Sequence, residues 1–174
     1  MVRLILYTLV FMMQTETDAQ SAERIERTAS FVVNAHVEKA FPLFGPIREK
    51  EWAAGWEPQV IYSQHPEVEE HMIFKTSGNP DEKEYVWVVA QYKPAQFFIE
   101  YQVSTYQRIW FITVACKPQQ KHTLVSVTYS YTGLTEVGNR INQESLDKMF
   151  AHDLKDWEVA INHYLRTGKR LEQM

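Results

Sequence analysis

Asp153, Arg108 and the tyrosines at 129 and 131 are the residues of this chain whose types could act together in chemistry. Leu146, Phe150, Trp157 and Tyr164 mark one stripe of a helical pattern, and at about 100° per residue Asp153 falls within about 40° of its centre. Burying a carboxylate unpaired costs on the order of several kcal/mol, so one on that stripe has to meet a cation, hydroxyl donors, water or a ligand. Arg108, Tyr129 and Tyr131 are the types within reach on opposing strands. Asp153 is then either half of a structural ion pair or a positioned acid or base.

The other titratable groups suggest less. The histidines at 36, 65, 71, 122, 152 and 163 are scattered without metal-ligand spacing, and only His71, on a strand-like run, is a minor pocket candidate. Cys116, at a strand end, reads as a small buried hydrophobe, and Glu49, Lys50 and Glu51 read as the solvated face of a short helix. H-E-x-x-H, G-x-S-x-G, a phosphate-cradling loop and a dinucleotide fingerprint are all absent, and the six glycines are isolated. No catalytic residue is assigned, no metal site is expected and no cofactor is implied.

Composition narrows the partners. A net charge of −4 without a basic run argues against nucleic acid. The single cysteine excludes an internal disulfide. Aromatic residues make up 13% of the chain and need a large interior. Leu4 to Met13 is apolar but too short to span a bilayer. Residues 1–22 therefore read as a signal-like or disordered lead-in to one domain over 23–174. That implies a cytoplasmic protein if translation starts near Met12 or Met13, and a secreted or periplasmic one if residues 1–19 are a signal peptide.

Positioning falls to a regular series of elements. Glu23 to Ala35 reads as a first strand, followed by two short helices limited by Pro42, Gly45-Pro46 and Gly55. PQVIYSQ, EHMIFKTS, EYVWVVAQY, QFFIEYQV, RIWFITVAC and HTLVSVTYSYT are six strand-like runs joined by short turns, so an antiparallel sheet is expected. Thr123, Val125, Val127, Tyr129 and Tyr131 share one face, as do Phe97, Ile99, Tyr101 and Val103. The strands at 84–92 and 108–116 are apolar on both faces and stay unoriented. Past Gly133 the period becomes 3.6, which predicts one long amphipathic helix from about Glu144 to Arg166, with Thr135 to Ile141 as its first turns or a separate lead-in.

This order, with AFPLFGPIREKEWAAGWEP as a lid-like segment, YVWVVAQYKP as a central strand and TYSYTGLTEVGN as a strand-to-helix junction, resembles a bacterial branch of the SRPBCC superfamily of START-like and polyketide cyclase-like proteins. The resemblance implies an α+β helix-grip fold, in which a curved seven-stranded antiparallel sheet wraps around a long C-terminal helix. It also implies a cavity between sheet and helix, closed on one side by Phe41 to Pro58.

A curved sheet cannot touch one helix across its whole width, so the remaining space is filled by side chains or by a ligand. Trp56, Trp87, Tyr101, Trp110, Tyr129, Met149, Asp153 and Trp157 are the candidate ligand-binding residues. The expected partner is a small hydrophobic or aromatic molecule held by a carrier or sensor. A cyclase or dehydratase acting on a polyketide-like or aromatic substrate in the same cavity is the alternative, and a protein-interaction module of the co-chaperone kind is a third. Oligomeric state is left open.

Overall fold

The computed structural model describes residues 22–80 and 82–171, so the lead-in and its signal-peptide reading fall outside the described residues apart from Ala22. Strand β1 (Arg24–Val33) leads into helix α1 (Val37–Ala40), a 3-10 turn at Phe41–Phe44 and helix α2 (Pro46–Glu49). Strands β2 (Gln59–Tyr62), β3 (Ile73–Ser77), β4 (Glu84–Lys93), β5 (Phe98–Ser104), β6 (Arg108–Gln119) and β7 (His122–Gly133) follow, then helices α3 (Glu136–Met149) and α4 (Lys155–Thr167). All seven strands form one antiparallel sheet in the order β1-β7-β6-β5-β4-β3-β2, which is the expected α+β helix-grip architecture.

Period-two alternation sets the two faces. Val125, Val127, Tyr129 and Tyr131 of β7 are buried, while Ser126 and Thr128 face outward and pair across to β1 through Ser30 (2.8 Å) and Thr28 (2.7 Å). The two strands that the sequence leaves unoriented turn Trp87 and Val89, and Arg108, Trp110, Ile112, Val114 and Cys116, to the inside. Register shifts at Val60/Tyr62 and Val89/Gln91 are bulges of the kind that bend a sheet. The outer edge of β1 is held by α4, where Asn162 accepts from the Asn34 amide at 2.7 Å and donates to the Val32 carbonyl at 3.0 Å.

The C-terminal helix departs from expectation. Instead of one helix, α3 ends at Phe150 and α4 restarts after Leu154, with Asp153 (φ 48°) and Leu154 (φ 58°) both left-handed. A continuous helix over Glu136–Thr167 would run about 48 Å, against about 40 Å for the length of β7. The break keeps both segments on the curved sheet and buries Leu154 completely. It also resets the helical phase, so the 100° spacing that placed Asp153 on the buried stripe no longer applies. Asp153 is exposed in the break, away from Arg108 and from the interior.

Asp153→Asn is therefore expected to leave stability within about 0.5 kcal/mol, since asparagine also tolerates the left-handed backbone. Leu154→Ala should cost about 2–5 kcal/mol. Urea denaturation of the two variants beside the parent measures both, and a large loss for Asp153→Asn would contradict the exposed placement.

Candidate ligand-binding cavity

Between sheet and helices lies a cavity of about 610 Å³, walled by the lid segment, β3 to β7 and the junction of α3 with α4. Its wall takes in Trp56, Trp87, Tyr101, Trp110, Tyr129, Met149 and Trp157, seven of the eight candidates, and leaves out Asp153. Exposed lining residues at Ala54, Gly55, Glu57, Ser77, Lys148 and Asp156 mark the rim. The wall is predominantly aromatic: Trp56 meets Trp87 edge-on at 5.2 Å, Trp87 meets Tyr101 at 5.9 Å, and Trp52 meets Trp157 at 5.4 Å.

The lid owes its shape to polar clips on short helices. Trp52 and Trp56 donate their indole N–H groups to the carbonyls of Leu43 and Pro46, each at 2.8 Å. Tyr101 donates its hydroxyl to the Phe44 carbonyl at 2.6 Å, which ties the lid to β5. At its far side Glu51 takes a bidentate pair from Arg48 (3.1 and 2.9 Å) and a hydrogen bond from the Tyr164 hydroxyl, which ties the lid to α4. Arg48 beside it holds the Glu51 carboxyl below its ordinary range.

Two carboxyls missed as site groups define the electrostatics. Arg108 is buried and lies against the Trp110 ring at 4.6 Å, but its partner is Glu82 and not Asp153. Its Nε is 3.0 Å from both Glu82 oxygens and its Nη2 is 2.7 Å from Oε2, while Nη1 donates to Ser145 at 2.9 Å. Thr105 donates a further hydrogen bond to Glu82 at 2.7 Å, so the pair is desolvated and saturated. Nothing in the polar stretch around Glu82 marks it as interior.

Glu49 is the second. Read as solvated in sequence, it lines the cavity, and its carboxyl has no hydrogen bond or ion pair with any described residue. Its partial accessibility is compatible with burial from bulk water, because a residue on a cavity wall keeps surface facing the cavity. Desolvation pushes its carboxyl from 4.5 up to about 8. A signal was present: Trp52, Ala53 and Trp56 stand three, four and seven residues after Glu49, the spacing of one helical face.

The remaining polar groups are passive. Tyr129 and Tyr131 are buried, neither hydroxyl has a hydrogen-bond partner among the described residues, and burial raises both phenols above their ordinary range. Tyr101 is raised likewise, first by burial and then by the charge of Glu49. Cys116 is buried and its thiol is pushed up to about 12, as fits the inert hydrophobe expected. His71 is exposed in a turn before β3, outside the cavity wall. Among the described residues no cluster of His, Cys, Asp or Glu could hold a metal ion, and no helix is long and apolar enough to cross a membrane.

A curved antiparallel sheet closed by a C-terminal helical segment around a lidded cavity is a helix-grip fold. Solved structures carry the same fold. Norcoclaurine synthase from Thalictrum flavum, in complex with dopamine and hydroxybenzaldehyde, matches with a TM-score of 0.63 at 14% identity, covering 97% of this chain and 99% of that one. Ara h 8.0201 matches at 0.61 and 10% identity, over 83% and 99% of the two chains. DynU16, from the dynemicin biosynthetic locus, matches at 0.56 and 14% identity over 83% of this chain, which spans about half of DynU16 (48%). No family model matches the chain, and no curated protein matches it by sequence. At such identities the likeness carries the fold and no activity.

Two stability outcomes follow. Removing one partner of the buried pair, as in Glu82→Ala, should cost about 3–5 kcal/mol in chemical denaturation, because Arg108 is left buried and uncompensated. For Glu49 the folded protein holds its proton up to about 8 while the unfolded chain releases it near 4.5. The stability of the empty protein should therefore fall as pH rises between those values and level off above, by on the order of 2 kcal/mol once water reaching the cavity is allowed for. In Glu49→Gln that slope should disappear, which thermal unfolding from acid to mildly alkaline pH measures.

Proposed function

We propose that this protein binds a small, largely apolar or aromatic molecule in the cavity between sheet and C-terminal helices, as a carrier or sensor. The observation behind the reading is the cavity itself: about 610 Å³ is left open among rings that a protein without a ligand would be expected to pack together. The lid's ties to β5 and α4 support it, since they close one side with side chains that move more readily than a sheet does. A protein of the same fold, norcoclaurine synthase, is found in complex with two small aromatic molecules.

A second reading, an enzyme of the cyclase or dehydratase type, is favoured by one observation. Glu49 presents an unpartnered carboxyl poised near neutral pH, which is the range a general acid or base requires. Deeper in the wall Arg108 is occupied by Glu82 and the tyrosines stay protonated, while the other charged lining groups, Glu57, Lys148 and Asp156, stand at the rim.

Native mass spectrometry of freshly purified protein is expected to show an adduct of a few hundred daltons, a mass that fits the cavity. Titration with the neutral fluorophore N-phenyl-1-naphthylamine should give enhanced emission. Val114→Phe, which puts a ring into the cavity wall, should weaken that binding by about tenfold or more while unfolding stays cooperative. Equal binding by parent and variant would place the probe elsewhere and remove the support for the cavity.

A further inference from the structure

We infer that the cavity selects a ligand carrying a cationic amine on an aromatic or apolar body, with the Glu49 carboxylate as its anchor; this rests on the ligand-binding reading above. The inventory of charges on the wall points that way. Arg108 is neutralised by Glu82. What is left is Glu49, with Glu57 and Asp156 at the rim, against one ammonium at Lys148, also at the rim. None of these four side chains has a hydrogen-bond or ion-pair partner among the described residues.

A neutral ligand would leave the Glu49 carboxyl desolvated and unpaired, and an anionic one would add repulsion. An ammonium relieves both problems. The aromatic wall suits it as well, since Trp52, Trp87, Tyr101 and Tyr129 supply π systems that attract cations. The unpaired Tyr129 oxygen can accept a further N–H bond.

The pH dependence has a definite sign. In the empty protein burial holds the Glu49 proton up to about 8, and an ammonium beside it favours the ionised form. Binding below about pH 8 must therefore release a proton, so affinity for an amine rises by up to about tenfold per pH unit toward 8. It levels off there and falls once the amine itself loses its charge near about 10. The groups facing Glu49 are Tyr101 on β5 and Tyr129 on β7, both raised above the phenol range and so neutral throughout, with Lys148 on α3 and Asp156 on α4 at the rim. On its own segment Arg48 and Glu51 pair with each other, and Lys50 is exposed. Among the described residues no histidine lines the cavity, and Glu49 is the wall carboxyl that burial lifts into this window.

Isothermal titration calorimetry with 2-(1-naphthyl)ethylamine, 2-(1-naphthyl)ethanol and 1-naphthylacetate at about pH 8.5 tests the inference. The amine is expected to bind about tenfold or more tighter than the alcohol, with the acetate weakest. In Glu49→Gln the amine and the alcohol should come within about twofold of each other. Equal affinities in the parent protein would overturn the cationic preference and leave hydrophobic binding standing. Failure of all three compounds while N-phenyl-1-naphthylamine still binds would have the same result, whereas failure of all four would remove both readings. Should Glu49→Gln not fold, the parent's pH series decides: an amine affinity that does not change between about pH 6 and 8 would sink the inference.

Discussion

A curved seven-stranded sheet presents more apolar inner face than one helix can cover, and the rest of this structure depends on that mismatch. A helix touches a sheet along a stripe, whereas bulges at Val60/Tyr62 and Val89/Gln91 bend the far strands away from it. The break between α3 and α4 is one response, since it lets two shorter helices follow the curve. The lid is the other. Its Phe41, Leu43, Phe44 and Trp52 are buried, so the segment supplies apolar cover where the helices do not reach. The space that neither response fills is the cavity.

That division of labour has a consequence for dynamics. Helices α1 and α2 are each one turn long, too short to be stable alone, so the lid stays in place by burial and by a few bonds to carbonyls and to Tyr164. The sheet, by contrast, is held by long ladders from β1 to β4, with one bulge at Val89/Gln91. Opening the lid therefore disturbs fewer interactions than separating two central strands. The rim of the cavity runs past Ala54, Gly55 and Glu57 at the lid's end and Ser77 at the end of β3.

The strands were legible because each carries its own evidence: in β7 the alternation of buried Val125, Val127 and Tyr129 with Ser126 and Thr128 is visible without a partner. The burial of Leu146, Phe150, Leu154 and Ile161 was legible for the same reason, though not the division of their stripe between two helices, and so were seven aromatic or apolar wall residues. The break at Leu154 was not, because no glycine or proline marks it and its cause is the curvature of a sheet far away in sequence. Asp153 was misplaced by extending a helical phase through that break. Glu82 was hidden because its partner Arg108 lies 26 residues away and the intervening turns look solvated. Glu49 was visible in principle, in its spacing to Trp52, Ala53 and Trp56, but its charge outweighed its face.

Glu82 and Glu49 are the same side chain in two kinds of interior. Glu82 shares its desolvation with Arg108, Thr105 and Ser145 in a closed network, so its charge is used up in holding β6, α3 and the turn before β4 together. It offers nothing to a ligand. Glu49 has no such partners, and burial drives it toward its neutral form near physiological pH. A fold built only for stability would gain by replacing that carboxyl with an apolar group of similar size, because an unpaired acid in an aromatic wall contributes nothing favourable to the empty state. On the proposed reading, its cost would be recovered by something complementary entering the cavity. The unpaired carboxyl and the unfilled volume are thus two aspects of one incompleteness, and a single bound molecule would resolve both.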